Sequence, residues 1–300
     1  MILGLDVWEG SLEINEQLLL ENGVRYLIPR LNDMNGGHHL DGNFYSQWDQ
    51  SAGFLRTPYF VYNPWVSGAE NAKWLLANLP RNAPRRLFVD IEVRKDGYSP
   101  DVYANEVQEF IDILLAEGFK PCIYTGAWFL PCLSRWPSNV DYWWARYPYD
   151  LYPPVATPIS WQDLSAKVEL VGWYPDPMHI CPGTVRLWQC SADRYIPSGT
   201  ERATDINAWN GTLEELEDWW GVKFPSVIEE PIPGELIFEA LVDNQNVRSG
   251  PSLTAPIIGH LVVGQVLSPL NIAGLDAWAE IAPGQWAAVK LGSRRYLRAI

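Results

Sequence analysis

The sequence predicts an α/β protein: an irregular (β/α) barrel with fewer than eight outer helices, followed by a small all-β barrel. Three observations predict it. Short β-rich runs alternate with helical patterns up to about residue 220, which argues for a sheet built from βα units. Eight strand candidates in that span suit a closed barrel better than an open sheet, although the later ones are joined by Pro-rich loops without obvious helices. A segment from Lys223 to Gly234 with three prolines then ends the alternation.

In chain order, Ile2–Val7 is the first strand candidate and Glu13–Asn22 the first helix. Strand candidates Tyr26–Leu31 and Pro58–Tyr62 follow, then a helix over Glu70–Leu79 and a strand over Arg86–Val93. The clearest helix runs from Pro100 to Glu117. Ser99 suits its N-cap and Pro100 its first position, while Val107, Phe110, Ile111, Leu114 and Leu115 form an apolar stripe that Gly118 ends. Lys120–Thr125, Tyr142–Arg146, Ile159–Gln162 and Val185–Cys190 complete the strand candidates. The domain division that follows is 1–222 for the barrel, 223–235 for the linker and 236–300 for the small β domain. In the last segment the runs Asn244–Ser252, Val263–Leu267, Trp278–Ile281 and Gly284–Val289 are separated by turns, with no helix pattern.

The run Arg86-Leu87-Phe88-Val89-Asp90-Ile91-Glu92-Val93 sets two carboxylates into apolar sequence. Side chains alternate along a strand, so Phe88, Asp90 and Glu92 share one face and Leu87, Val89, Ile91 and Val93 the other. Asp90 and Glu92 then lie about 7 Å apart, where burial and mutual repulsion raise at least one pKa. A carboxyl group held protonated near neutral pH is what general acid chemistry needs. In a barrel of TIM type the working residues sit at the C-terminal ends of strands, where Asp6 also stands.

The net charge of −14 argues against a nucleic-acid partner, since phosphate binding rests on Lys and Arg. It is uneven: residues 236–300 carry four acids and five bases, so the excess of acid belongs to residues 1–235. No run reaches the roughly 18 apolar residues of a membrane span. Cys122, Cys132, Cys181 and Cys190 are too few and too irregular for a disulfide framework or a zinc site, and Cys122 reads as core. His38, His39, His179 and His260 lack metal-ligand spacing, so no metal or other cofactor is expected; the His38-His39 pair reads as loop polarity. Tryptophan is the outlier at 16 residues, many beside polar or turn residues, and such faces stack on ring-shaped ligands, sugars included.

Four segments in order resemble the family 25 glycoside hydrolases, the Chalaropsis-type lysozymes. They are Gly4-Leu5-Asp6-Val7, Phe88-Val89-Asp90-Ile91-Glu92, Leu187-Trp188-Gln189-Cys190-Ser191 and Asp205-Ile206-Asn207-Ala208-Trp209-Asn210-Gly211. The chain departs from the family pattern at Trp8-Glu9-Gly10, at Cys190 and through residues 30–42. The resemblance implies hydrolysis of the β-1,4 bond between N-acetylmuramic acid and N-acetylglucosamine in peptidoglycan. It implies Glu92 as general acid, Asp90 as the group orienting the substrate's acetamido group, and Asp6 and Asp205 as the rest of an acidic floor. Asp205 as direct nucleophile or water activator stays open. Arg30, Tyr62, Trp65, Tyr124, Trp128, Trp144 and Gln189 are expected to contact substrate. Asn246-Val247-Arg248-Ser249-Gly250-Pro251-Ser252, with Gly259, Gly264, Trp278 and Trp286, resembles a bacterial SH3-like domain, which implies a wall-binding module.

Two other classes stay open. A non-catalytic wall- or carbohydrate-binding protein on a decayed barrel would keep the tryptophans, although the intact acids argue against it. A wall peptidase or amidase would need a Cys/His pair or a zinc cluster. The N-terminus shows no signal-peptide pattern. The expectation is synthesis in the cytoplasm and action on the wall after release, as for an endolysin, or export by a non-classical route.

Overall fold

The computed structural model describes residues 1–300 except 12–13, 34–36, 149–159, 195–198, 200–203, 225–237, 251, 268–270, 274–277, 283–284, 292–293, 296 and 300. The chain divides into two compact units, Met1–Pro225 and Ser226–Ile300. Most of the segment read as a linker lies outside the described residues.

In the first unit nine strands form one curled sheet. They are β1 (Ile2–Val7), β2 (Tyr26–Pro29), β3 (Leu55–Arg56), β4 (Tyr59–Val61), β5 (Arg86–Asp90), β6 (Lys120–Gly126), β7 (Asp141–Ala145), β8 (Thr184–Arg194) and β9 (Thr204–Trp209). Their order is β3-β2-β1-β9-β8-β7-β6-β5-β4. The two ends of the curl meet through a single parallel bridge between Arg30 and Tyr59. Among the described residues six α-helices accompany them: α1 (Glu16–Glu21), α2 (Phe44–Gln50), α3 (Gly68–Asn78), α4 (Pro100–Ala116), α5 (Trp161–Val171) and α6 (Leu213–Trp220).

Strand alternation divides the apolar residues into two layers. Phe88 on β5, Cys122 and Tyr124 on β6, Trp143 on β7 and Leu187 on β8 point into the barrel. Their sequence neighbours Leu87, Val89, Ile123, Tyr142 and Trp144 point outward, onto Val107, Phe110, Ile111 and Leu114 of α4. Each large side chain fully buried this way contributes about 1.5–3 kcal/mol of transfer free energy. Helix α4 carries Ser99 at its N-cap and Pro100 at its start, as its sequence predicts.

Five elements differ from expectation: α2, α6, β3 and β9 are absent from the sequence reading, and one strand candidate is a helix. The strand candidate Ile159–Gln162 is the start of helix α5, apart from Ile159, which lies outside the described residues. Ser160 caps that helix by accepting from the Asp163 N–H, and Trp161, Leu164 and Val168 recur at helical spacing to pack on β1 and β8. The barrel place left vacant is taken by β9, which runs antiparallel to both β1 and β8, so the sheet is not uniformly parallel. Helix α6, absent from the sequence reading, supplies Leu216 and Trp220 to the barrel interior beside Tyr26 and Phe88. Tyr26 leaves no room for a side chain opposite it: a Cβ on Gly4 would stand 2.3 Å from its ring.

Residues 226–300 are all-β among the described residues. A sheet of five strands holds Gln245–Arg248, Ile257–Leu261, Asn271–Ala273, Trp278–Ala282 and Gln285–Ala288, and one of three strands holds Phe238–Ala240, Val266–Leu267 and Leu297–Ala299. Phe238, Val247, Leu261 and Leu297 form the core. The four cysteines form no disulfide with one another.

Candidate active site

Asp6 stands at the end of β1 and Asp90 at the end of β5, and Glu92 follows two residues on. Ile91 between them packs outward, so the alternation carries past the last strand hydrogen bond and turns Glu92 to the same mouth. Asp205 arrives there for a different reason. Because β9 is antiparallel, its beginning lies at the mouth, and Asp205 pairs in register with Asp6. Asp6, Asp90, Glu92 and Asp205 together line an inner chamber with Tyr124 and Gln189. It opens on a cleft of about 340 Å³ whose walls include Trp8, Arg30, Asn32, Asp33 and Tyr59.

Two amides hold the acids in place. Asn207 donates from Nδ2 to Asp6 Oδ2 at 2.7 Å, and its Oδ1 accepts from Trp143 Nε1 at 2.7 Å, which fixes the orientation of the amide. Gln189 donates from Nε2 to Asp6 Oδ2 at 3.1 Å and to Asp205 Oδ2 at 3.3 Å. Its Oε1 accepts from the hydroxyls of Tyr124, at 2.9 Å, and Tyr147. Burial keeps both phenols protonated, so they remain donors.

Burial is also the main cause of the unusual acidities. It pushes Glu92 up to about 7, with the nearby Asp6 adding to the effect. Asp6 rises to about 6, held from going further by Asn207 and Gln189. Asp90 lies well above the usual carboxylate range because it is buried and faces both Glu92 and Asp6. Its Oδ1 is buried and has no hydrogen-bond partner among the described residues, an acceptor open to a ligand donor. At neutral pH the site therefore holds carboxyl protons that it can transfer.

Of the side chains expected to contact substrate, Arg30 lines the cleft, braced by Asp41 at 2.7 Å and set over the Trp8 ring, and Tyr124 and Gln189 line the chamber. Trp65 is 57% exposed and Trp128 43% exposed. Trp128 joins Tyr147, Met178 and Ile180 around a second, mostly apolar groove. Tyr62 and Trp144 require correction. Tyr62 is fully buried against Tyr103 and Phe110 in the outer layer. Trp144 is 1% exposed and packs outward beside Tyr142, forming part of the second groove's wall and none of the acid cleft. Strand parity explains both: the inward positions next to them are Val61 on β4 and Trp143 on β7, each one step of alternation away. Tyr59, Tyr147, Asn207, Trp8 and Asp33 were not singled out from sequence. Register with Phe88 and Asp90 marks Tyr59 and Val61 as the inward pair. Tyr147 lies beyond the end of its strand and carries no such signal.

Known proteins similar to this chain bear on its family and its fold. A family model described as glycosyl hydrolases family 25 matches residues 5–168. The uncharacterized protein YegX of Escherichia coli (strain K12) is 25% identical over 222 residues, which is 72% of this chain and 72% of its own. The bacterial lysozyme from Streptomyces coelicolor has a similar structure, with a TM-score of 0.54 at 20% identity, covering 72% of this chain and 94% of its own. The catalytic domain of endolysin ply40 from bacteriophage P40 of Listeria monocytogenes gives 0.51 at 20% identity, covering 74% and 98%. At these identities the structural likeness speaks for the fold, an α/β barrel of TIM-like type.

Proposed function

Because the chain belongs to glycosyl hydrolases family 25 and is a glycoside hydrolase by that membership, we propose that it is a muramidase. Its reaction is hydrolysis of the β-1,4 bond between N-acetylmuramic acid and N-acetylglucosamine in peptidoglycan. The observation that carries this reading is Glu92: a carboxyl group pushed up to about 7 at the mouth of a barrel, two residues from a second raised acid on the same face. Glu92 gives its proton to the glycosidic oxygen as the C1–O bond breaks. The acetamido carbonyl oxygen of the cleaved sugar attacks C1 and closes an oxazolinium ring. Asp90 accepts from the acetamido N–H through its unpartnered Oδ1, which orients that carbonyl. Water then opens the ring and returns a proton to Glu92. Asp6 and the Gln189 amide hold the floor, with Asp205 facing the sugar. The competing route makes Asp205 the nucleophile or the base for water.

The C-terminal unit is, in this reading, an SH3-like wall-binding module that raises the local concentration of the barrel at its polymer. Its all-β fold and its near-neutral charge against an acidic barrel support that role. The likeness to a phage endolysin domain supports an endolysin-like enzyme, made in the cytoplasm and acting on the wall after release. Digestion of purified peptidoglycan followed by mass spectrometry of the reducing ends tests the assignment. Reducing N-acetylmuramic acid is expected; reducing N-acetylglucosamine, or cleaved peptide alone, would refute it. Early-time proton NMR of the product anomer tests the route: retention is expected, and inversion would remove the acetamido mechanism.

A further inference from the structure

The barrel closes at its weakest point beside the acids. Between β2 and β4 the backbone makes only the Arg30–Tyr59 bridge, with Leu31 N–H donating to the Tyr59 carbonyl at 2.8 Å. One residue further a side chain takes over from the backbone. Asn32 Oδ1 accepts from Val61 N–H at 2.8 Å, and Asn32 Nδ2 donates to the Val61 carbonyl at 3.0 Å. Val61 is the register partner of Asp90, and Tyr62 N–H donates to the Asp90 carbonyl at 2.9 Å. The Asn32 amide thus acts as a short piece of strand that ties the seam to the strand carrying Asp90.

The second proton of Asn32 Nδ2 points to His38 Nδ1 at 3.1 Å. The Val61 contacts identify Asn32 Nδ2 as the nitrogen, so His38 Nδ1 can only accept. His38 Nε2 then carries the proton and donates to Asn71 Oδ1 at 3.0 Å. The Asn71 amide is fixed independently, accepting from Asn63 N–H at 2.9 Å and donating to the Asn63 carbonyl at 2.9 Å. Two amides therefore specify one tautomer of one imidazole. The ring stacks on Trp74 at 5.0 Å and lies 5.0 Å from Phe60.

We propose that His38 is a positioning residue, which in its neutral form with the proton on Nε2 locks the Asn32 amide that closes the barrel seam beside Asp90. The proposal rests on the hydrolase reading for its effect on catalysis and on the seam geometry alone for the rest. Protonation of Nδ1 would set N–H against N–H, and the Asn32 amide would have to turn away from Val61 or from His38. Among the described residues, β4 presents Phe60 to the ring and α3 presents Asn71 and Trp74, none of them charged. Burial disfavours a charge on the ring, the Asn71 hydrogen bond opposes this in part, and the neighbouring His39 acts with burial, the balance favouring the neutral ring. The lock therefore holds at neutral pH and opens as the pH falls.

Nitrogen-15 NMR of the imidazole, on the full chain, should show a neutral ring protonated on Nε2 at pH 7. As His38 titrates, the Val61 and Asp90 amide resonances should move with the same midpoint. Asn32→Asp replaces the donor with an acceptor and should raise that midpoint. His38→Phe keeps the ring stack and removes both hydrogen bonds. On purified wall it should lower kcat/KM at pH 7 at least about fivefold, and its acid limb should be shallower by one proton. A proton on Nδ1, a midpoint unmoved by Asn32→Asp, Val61 and Asp90 resonances indifferent to His38, or a His38→Phe profile identical in shape to wild type would each overturn the proposal. Wild-type protein that cleaves no wall would defeat the hydrolase reading and leave the NMR outcomes to decide the lock.

Discussion

Gln189 donates its side-chain amide to Asp6 at 3.1 Å, and the same nitrogen reaches Asp205, so one amide spans two acids that lie opposite each other on paired strands. Its carbonyl end is pinned by Tyr124 and Tyr147, which keeps the donor end toward the acids. Gln189→Leu removes that donor and the oxygen to which Tyr124 and Tyr147 donate. We expect kcat to fall about 10- to 100-fold while KM changes little, because the loss falls on charged groups in the chamber. Steady-state kinetics on soluble glycan fragments checks it; an unchanged kcat would remove Gln189 from the account.

Glu92→Gln keeps the shape of the side chain and deletes its transferable proton. Turnover should drop by about 10²–10⁴-fold with the fold intact, judged by circular dichroism. Turnover equal to wild type would remove Glu92 as the general acid.

The same substitution has a pH signature in stability. Glu92 rises from 4.5 in the open chain to about 7 when folded, so the folded state holds the extra proton. Its stabilising contribution is present below about pH 4.5 and is lost as the pH rises to about 7, where folding must bury a charge. Relative to wild type, Glu92→Gln should therefore gain stability between those values, by an amount on the order of 1–3 kcal/mol. Urea melts at pH 5 and pH 8 read the difference directly. A constant offset would mean that Glu92 titrates normally.

Trp65 is 57% and Trp128 43% exposed, so both leave indole surface free for a ligand. If they stack on sugar rings, Trp65→Ala and Trp128→Ala should each raise KM about two- to tenfold and leave kcat near wild type. A fall in kcat without a change in KM would place them elsewhere in the mechanism.

Much of this site was legible in the sequence because strand parity is a local rule. Asp90 and Glu92 share a face whatever the rest of the fold does, and Asp6 ends a strand by the same reading. Parity also exposes the two misplaced residues: Tyr62 and Trp144 are aromatic and near the mouth, yet each is one step out of phase with the inward set. The antiparallel course of β9, the plug formed by α6 and the reach of Tyr147 to Gln189 depend on tertiary pairing between distant segments. No local pattern encodes those pairings, although α6 itself carries one, a Thr212–Glu215 capping box with Gly221 at its end. Helix α5 was within reach, since Ser160 and Asp163 make a capping pair at its start, but the β-rich look of residues 159–162 outweighed it.

Carbon-13 NMR of the Glu92 side-chain carboxyl, titrated in the intact protein, measures the property on which the general-acid role depends. The midpoint should lie near 7, and it should move down in part when Asp6 is replaced by Asn, burial remaining as the larger cause. A midpoint near 4.5, unmoved by that substitution, would contradict the general-acid role.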